Sequence, residues 1–346
     1  MNLQNRYSVI LGNLGNTCDR FLPTGYKSAV PKEEMICQAA SISGIGGLEL
    51  VGTWDVTESN IISMRDLMAD NGLQCVSIIP DLFSQQRWGR GSLSAIDSEI
   101  RRQAMTEVQV ACHNARELEC SLINLWLGQD GYDYPLSSNF RDQRKWLLES
   151  ICSIASEFPD LRFALEYKPK EPRNFSFHAR AGDTLLMAQE TGLSNVGICI
   201  DVGHAFMAGE NVSESAFLAQ HYGQRLFHMH FNDNYRTWDD DMIVGSLHII
   251  EYFELLFWLR EIRYDGWYSM DQYPYREDGV AAVRESVSFL RSVEMLLTPE
   301  RITELRELIA KGDATASNRW MRECLLGTIN DESAAKGSLK RAYTNL

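Results

Sequence analysis

Positive charge is scarce in this chain. Against 47 Asp and Glu residues stand 33 Lys and Arg, a formal charge of −14. A sequence-independent hold on nucleic acid or on an anionic membrane needs basic surface, so neither is expected as a partner. Long hydrophobic runs are missing too. No stretch approaches the roughly 20 apolar residues of a membrane helix, and Met1 to Arg6 lacks the apolar core of a signal peptide. The eight cysteines (18, 37, 75, 112, 120, 152, 199 and 324) include no CxxC pair. Several sit inside apolar patterns, as Cys199 does in Val196-Gly197-Ile198-Cys199-Ile200, which points to buried reduced thiols and a cytoplasmic location. The glycosylation match Asn211-Val212-Ser213 is then accidental. No glycine-rich phosphate loop follows the first candidate strand, which argues against a doubly wound nucleotide-binding sheet. No internal repeat or low-complexity segment stands out.

What is present is an alternation. Hydrophobic residues at 45% and charged residues at 23% are ordinary for a soluble globular protein. Short apolar or β-branched runs at 8–12, 47–51, 75–80, 122–127, 161–167, 196–200, 226–231 and 267–271 read as strands. Amphipathic stretches between them, including 32–43, 61–71, 100–118, 144–158 and 247–262, read as helices, the second closed by Gly72. Strands alternating with helices imply a parallel sheet, and at this length a closed (β/α)8 TIM barrel is the economical solution. The expected domain is residues 1–298. Residues 299–346 then form a C-terminal helical extension too small for its own core, with helices at 300–311 and 320–326 and a loose polar end from Gly327 to Leu346. Trp320, Met321, Leu325 and Leu326 need cover from the barrel or from another subunit.

The chemistry gathers at the strand ends of the second half, where a barrel of this type places its site. The fifth candidate strand gives way to Glu166-Tyr167-Lys168-Pro169-Lys170-Glu171-Pro172-Arg173. Side chains two apart on a strand share a face, so Glu166 and Lys168 enter one pocket together. The sixth strand runs into Asp201-Val202-Gly203-His204. The seventh holds His228-Met229-His230 and leads to Asp239-Asp240-Asp241, and the eighth ends in Asp271. Each has a simpler alternative. Asp201 is also placed to cap a following helix, a lone histidine is more often a satisfied core residue, and Asp239–Asp241 alone reads as a solvated loop. Coincidence on consecutive strand ends favours one shared site for a divalent metal with oxygen and nitrogen ligands.

The octapeptide resembles the strand-five signature of xylose isomerases, Glu-Pro-Lys-Pro-Asn-Glu-Pro-Arg, differing at Tyr167 and Lys170. Leu125-Trp126-Leu127-Gly128-Gln129-Asp130-Gly131 is similar to that family's tryptophan–glycine stretch after strand four. Asp81-Leu82-Phe83-Ser84 with Gly91-Ser92-Leu93 and Arg101-Arg102 is similar to its strand-three loop and following helix. The resemblance runs in order from about Asp81 to Tyr275 and extends to the L-rhamnose isomerases. It implies one metal on Glu166, Asp201, His230 and Asp271, with histidine on strand seven as in rhamnose isomerases and sugar 3-epimerases. A second metal would take Asp201 as a bridge with His204, Asp239 and Asp241. Lys168 would hydrogen-bond the substrate carbonyl oxygen, Trp126 would wall the substrate carbons, helped by Trp88 and Phe83, and Arg236 would contact substrate. One departure stands out. Leu48-Glu49-Leu50-Val51-Gly52 lacks the ring-opening histidine that xylose isomerase carries at the end of strand two, and Glu49 is the candidate there by position. The choice among Asp239, Asp240 and Asp241 stays open.

The expected activity is interconversion of an aldose and a ketose by metal-assisted hydride shift on a small unphosphorylated sugar. The cofactor would be one or two ions of Mg²⁺, Mn²⁺ or Co²⁺ per subunit, with a homodimer or homotetramer as the assembly. The chief rival is a keto-sugar epimerase using Glu166 and Asp271 for proton transfer. An abasic-site endonuclease fits poorly with a charge of −14 and only seven histidines. A purely structural metal barrel has no use for Lys168.

Overall fold

The apolar runs close into a ring. In the computed structural model, which describes residues 6–17 and 21–327, the strands are β1 (Arg6–Ile10), β2 (Ile45–Val51), β3 (Gln74–Ile79), β4 (Leu122–Trp126), β5 (Arg162–Glu166), β6 (Val196–Asp201), β7 (Leu226–Phe231) and β8 (Trp267–Met270). They follow one another around a closed barrel in chain order, all pairs parallel, with β8 against β1. Every residue of β6 and β7 is buried, as strands covered on both faces require. The (β/α)8 barrel expected from the alternation is the observed fold.

Helices α1 (Lys32–Ala40), α2 (Ile61–Asp70), α3 (Ser98–Glu117), α4 (Phe140–Glu157), α5 (Ala181–Glu190), α6 (Val202–Met207), α7 (Val212–His221) and α8 (Ile249–Glu261) fill the crossovers, and α9 (Gly279–Leu296) follows β8. Side-chain caps fix several starts: Asp97 accepts from the Glu99 N–H at 2.8 Å, and Asn211 from Ser213 and Glu214 at 2.9 and 3.1 Å. Gly72 ends α2 as expected. Its φ of +69° suits glycine, and its N–H bonds the Ala69 carbonyl at 3.0 Å.

The chain forms two compact units, Met1–Leu290 and Arg291–Leu346, a division that falls within α9. In the second, α10 (Pro299–Lys311) is capped by Thr298 and α11 (Ala314–Leu326) by Asp313. The second helix starts earlier than its expected position, 320, because Asp313 captures the Thr315 and Ala316 N–H groups at 3.0 and 3.1 Å. The expectation of a loose end lies outside the described residues from 328 onward.

Register places the chemistry in one layer. Trp126 pairs with Glu166, Asp201 with His230, and His230 with Ser269. The loops above β3 and β4 are tied together by Asp130, which is buried. It accepts from the Ser92 and Ser94 N–H groups at 3.0 and 2.7 Å and from both hydroxyls. Gln129 beside it donates to the Phe83 carbonyl at 2.9 Å. We predict that Asp130→Ala, leaving these buried donors unpaired, lowers the unfolding free energy by about 3 kcal/mol. Urea denaturation checks this, and a loss below about 1 kcal/mol would mean that water replaces the carboxylate.

Candidate metal centre and active site

Two ligand groups meet at the C-terminal ends of β5 to β8. Glu166, Asp201, His230 and Asp271 each offer an atom within 4.8 Å of the others, and so do Asp201, His204 and Asp239. Asp201 belongs to both. His230 Nδ1 lies 3.1 Å from Asp271 Oδ2, 3.5 Å from Glu166 Oε1 and 4.0 Å from Asp201 Oδ2. His204 Nδ1 lies 3.4 Å from Glu166 Oε1, while its Nε2 meets Asp239 Oδ2 at 3.1 Å.

Local structure explains these placements. Asp201 does cap α6, accepting the His204 N–H at 2.8 Å through Oδ1, so the capping and ligand readings hold together. That cap turns the chain and brings His204 back over Glu166. Asn232 donates to Asp201 Oδ2 at 2.8 Å. It can approach because residue 203 is glycine: a Cβ there would meet Asn232 Oδ1 at 2.0 Å. Asn124, on β4, donates to Glu166 Oε2 at 2.6 Å. The segment after β7 is pinched by paired backbone bonds between Asp233 and Met242 at 3.0 and 2.8 Å. Within that loop Asp240 turns back to accept from the Tyr235 N–H at 2.9 Å. Asp239 enters the centre, and Asp241, at φ +47°, lines the cavity without joining either ligand group.

Lys168 is buried and its ammonium is clasped by Asp239 at 2.7 Å and Glu171 at 2.8 Å. Burial alone would lower its pKa, but Asp239, Glu171 and Asp241 raise it above the ordinary lysine value, so it stays charged. The same ammonium and His204 hold Asp239 well below the usual carboxylate range against its burial. Glu166 is likewise lowered against burial by His230 and His204. Burial raises Asp271, and with Asp239 and Asp271 nearby it raises Asp241 well above the ordinary range. Burial also pushes Asp201 to about 7, against the pull of His204. His204 rises to about 9 because Asp201 and Asp239 outweigh its burial.

The donor set fits a divalent cation. His204 Nδ1, His230 Nδ1 and Asp239 Oδ1 are buried without a hydrogen-bond partner among the described residues. Adjacent ligands of an octahedral ion at about 2.1 Å stand about 3 Å apart, close to the 3.1–3.5 Å separations from His230 Nδ1 to Asp271 and Glu166. Crowded carboxylates that repel one another's ionised forms are what such an ion would relieve.

The cavity above the centre holds about 530 Å³ and has two unlike sides. Glu166, Lys168, His204, Asp239 and Asp271 form one. The other comes from the last residues of β1 to β4, Ile10, Val51, Ile79 and Trp126, with Phe83 packed on the aliphatic trio. Trp126 and Phe83 meet edge to face at 4.6 Å, Phe83 and Trp54 at 5.4 Å. Three expectations need correcting. Trp88 is fully buried, donates to the Asp81 carbonyl at 2.9 Å and is not on the cavity wall. Arg236 turns outward to pair with Glu251 at 2.8 Å and lies over the Phe206 ring. Glu49 is inside the barrel, not on the wall, and is no candidate for ring opening. Sequence reasoning missed Trp54, Asn124 and Asn232. Asn124 carried one usable signal, a polar residue in an apolar strand two before Trp126.

The pKa shifts set a direction for stability. Asp201 moves up from 3.8 to about 7 and His204 from 6.5 to about 9. A folded value above the unfolded one contributes stability that is complete below the unfolded pKa and lost as the pH rises through the folded pKa. We predict that the melting temperature of the metal-free protein falls from about pH 6 to about pH 9, and that Mn²⁺ restores it more strongly at the upper end. Scanning calorimetry checks this; a flat or rising metal-free profile would contradict the assigned interactions.

The model of the xylose isomerase-like TIM barrel family matches residues 37–293. A xylose isomerase of Thermus thermophilus is 27% identical over 227 residues, 63% of this chain and 58% of that protein. One of Bacillus pumilus is 24% identical over 165 residues, 46% of this chain and 37% of that protein. The chain thus spans well under two thirds of the length of both relatives. A solved D-tagatose 3-epimerase-like protein shares the fold, with a TM-score of 0.63 and 20% identity over 85% of this chain and 100% of that one. No helix among the described residues is long and apolar enough to cross a membrane. With the match at residues 37–293 taking in β2 to β8 and every ligand named above, the chain belongs to the xylose isomerase-like TIM barrel family.

Proposed function

We propose that the protein is a divalent-metal-dependent isomerase that interconverts an aldose and a ketose. The observation that carries this reading is the buried Lys168 ammonium, 2.7 Å from an Asp239 oxygen that His204 also meets at 3.1 Å. A cation held permanently charged donates to a carbonyl oxygen and stabilises the negative charge that grows there. Asp239, kept ionised and already sharing protons with His204, accepts the proton of the neighbouring hydroxyl and returns it. Glu166, Asp201, His230 and Asp271, with His204 and Asp239, would hold Mg²⁺, Mn²⁺ or Co²⁺, one ion or two. Such an ion, when bound, supplies Lewis-acid polarisation of vicinal oxygens. Trp126 and Phe83 keep water from the reacting carbons, which favours hydride movement between them over proton exchange with solvent.

The cavity also bears on the substrate. Among the described residues lining it, Lys168 is the only lysine or arginine, and two carboxylates already occupy it. A phosphate dianion would face acids, so an unphosphorylated sugar is proposed. Ile10, Val51, Ile79 and Phe83 offer no hydrogen bond to a hydroxyl, so substrate hydroxyls far from the carbonyl would be met by Asn16, Thr17, Tyr273 and Tyr275, which also line the cavity. The second reading, a keto-sugar epimerase using Glu166 and Asp271, draws on the raised pKa of buried Asp271. Against it, the acid on the eighth strand is the short Asp271, which lies in one ligand group with Glu166, a reach that favours ligation over proton transfer. A cytoplasmic location is proposed from the free state of Cys37, Cys75, Cys112, Cys120, Cys152, Cys199 and Cys324. A homodimer or homotetramer is proposed from exposed Tyr134, Leu136, Phe140 and Phe175.

The test incubates purified protein and Mg²⁺ or Mn²⁺ with aldoses and ketoses in deuterated water, and reads the separated products by NMR. An isomerised product without solvent deuterium is expected. Deuterium at an inverted carbon would replace this reading with the epimerase, and no turnover would end both. Lys168→Met should cut kcat by about 10²–10³-fold, the cost of losing one charge-stabilising donor; an unchanged kcat would remove Lys168 from the chemistry.

A further inference from the structure

Beneath the cavity floor lies a second cluster, which shares only His230 with the ligand groups described above. Glu49 on β2 is completely buried, and four side-chain donors converge on it. His228 Nε2 meets its Oε1 at 2.8 Å, and His230 Nε2 meets Oε1 at 3.2 Å and Oε2 at 3.3 Å. The Ser77 and Ser269 hydroxyls donate to the two oxygens as well. Backbone register builds the arrangement: Ser77 is the β3 partner of Glu49, and Ser269 is the β8 partner of His230. The layers inside such a barrel are usually filled by Val, Ile and Leu. A buried carboxylate with polar partners is often no more stabilising than apolar residues of the same volume. Packing alone therefore gives no reason for this cluster.

We infer that Glu49 is a positioning residue that fixes the tautomer and the ring orientation of His230 for the metal centre above it. This rests on the metal-dependent reading proposed above. An ionised carboxylate only accepts hydrogen bonds, so each imidazole nitrogen facing Glu49 must carry a proton. For His230 that nitrogen is Nε2. Nδ1 is then the atom left to bind a cation, and it is the one that points at Asp271, Glu166 and Asp201. A ring flip would turn the Cε1–H onto the carboxylate in place of the Nε2–H, and the other tautomer would turn a lone pair onto it. A further ion held by Glu49, His228 and His230 themselves is disfavoured, because the Ser77 and Ser269 hydroxyls already occupy the oxygens it would need. His228 acts as the second clamp on Glu49, so the two histidines of the His-Met-His run have different duties. One faces the centre and the other holds its holder.

Glu49→Gln tests this, since an amide keeps the volume but offers one acceptor and one donor where two acceptors stood. Isothermal titration with Mn²⁺ should show affinity reduced by about 10–100-fold relative to the wild type, the cost usual for a lost outer partner of a ligating histidine. Nitrogen NMR of ¹⁵N-histidine-labelled protein with diamagnetic Mg²⁺ bound should show His230 protonated at Nε2 and bare at Nδ1 in the wild type, and a mixed tautomer in the variant. A merely structural Glu49 would lower the melting temperature and leave both readings unchanged in the folded protein, which would overturn the inference. Should Glu49→Gln not fold, Glu49→Asp draws the oxygens back by one methylene and takes the same measurements. Reduced affinity with an altered His230 signal supports the inference, and unchanged values overturn it. Wild-type protein that binds no Mn²⁺ would overturn the metal reading as well, so the two failures are distinguishable.

Discussion

Mutual repulsion among buried carboxylates is the constraint around which the rest of this structure is arranged. Glu166, Asp201, Asp239, Asp241 and Asp271 open onto one region at the C-terminal end of the barrel, and among the described residues Lys168, His204 and His230 oppose them there. Removing carboxylates from water is costly, and crowding them adds to the cost unless positive charge stands among them. The protein meets this in two ways. Asp239 and Glu166 lie against cationic partners and stay ionised, while Asp201, Asp241 and Asp271 are pushed toward the protonated form. A site so divided is primed to exchange protons for a cation, which is also what its function would ask of it.

Holding that charge in place requires a stiff frame, and the barrel supplies it by register. Glu166, Asp201, His230 and Asp271 sit at or next to the ends of strands that are hydrogen-bonded to their neighbours, so the separation between Asp201 and His230 is set by backbone pairing. Helix α6 then turns His204 back over the centre through the Asp201 cap. The one ligand not on such an element, Asp239, is held by the Asp233–Met242 bridge below it and by Lys168 above. Loop and lysine therefore support each other. Loss of either would free a carboxylate that the second ligand group needs.

This division between strand and loop explains what could be read from the residues. The strands were legible because parallel strands buried on both faces are written as short apolar runs, and the ligands at their ends inherit that legibility. Glu166, Asp201, His230 and Asp271 are at or beside strand ends, so alternation brings them to one rim, while the choice of His230 over His228 came from the family resemblance. Asp239, Asp240 and Asp241 were not separable, because their directions depend on the Asp233–Met242 bridge and on a left-handed residue at Asp241, neither of which has a periodic signature. Arg236 lies in the same loop at φ +67°, which sends its side chain out to Glu251. Trp88 was misplaced for a related reason: it belongs to a short helical turn whose packing no pattern in the sequence reports. Glu49 was visible as a charged residue in an apolar strand, but its partners come from β3, β7 and β8, far away in the chain.

The same geometry gives the cavity its asymmetry. The first four strands end in Ile10, Val51, Ile79 and Trp126, whereas β5 to β8 deliver the ligands, so charge and apolar surface occupy opposite arcs of a single ring. A ligand lying across the barrel mouth then meets charge on one side and the apolar ends of the first four strands on the other. The apolar arc also matters for the charged one. Phe83 and Trp126 lower the local dielectric beside Lys168, whose ammonium lies 5.3 Å from the Trp126 ring. An ammonium there is worth more to a developing oxyanion than the same group in water. The aromatic wall is therefore part of the electrostatics of the site as well as its boundary, and it strengthens the ammonium's pull only while the Asp239 and Glu171 carboxylates keep Lys168 charged.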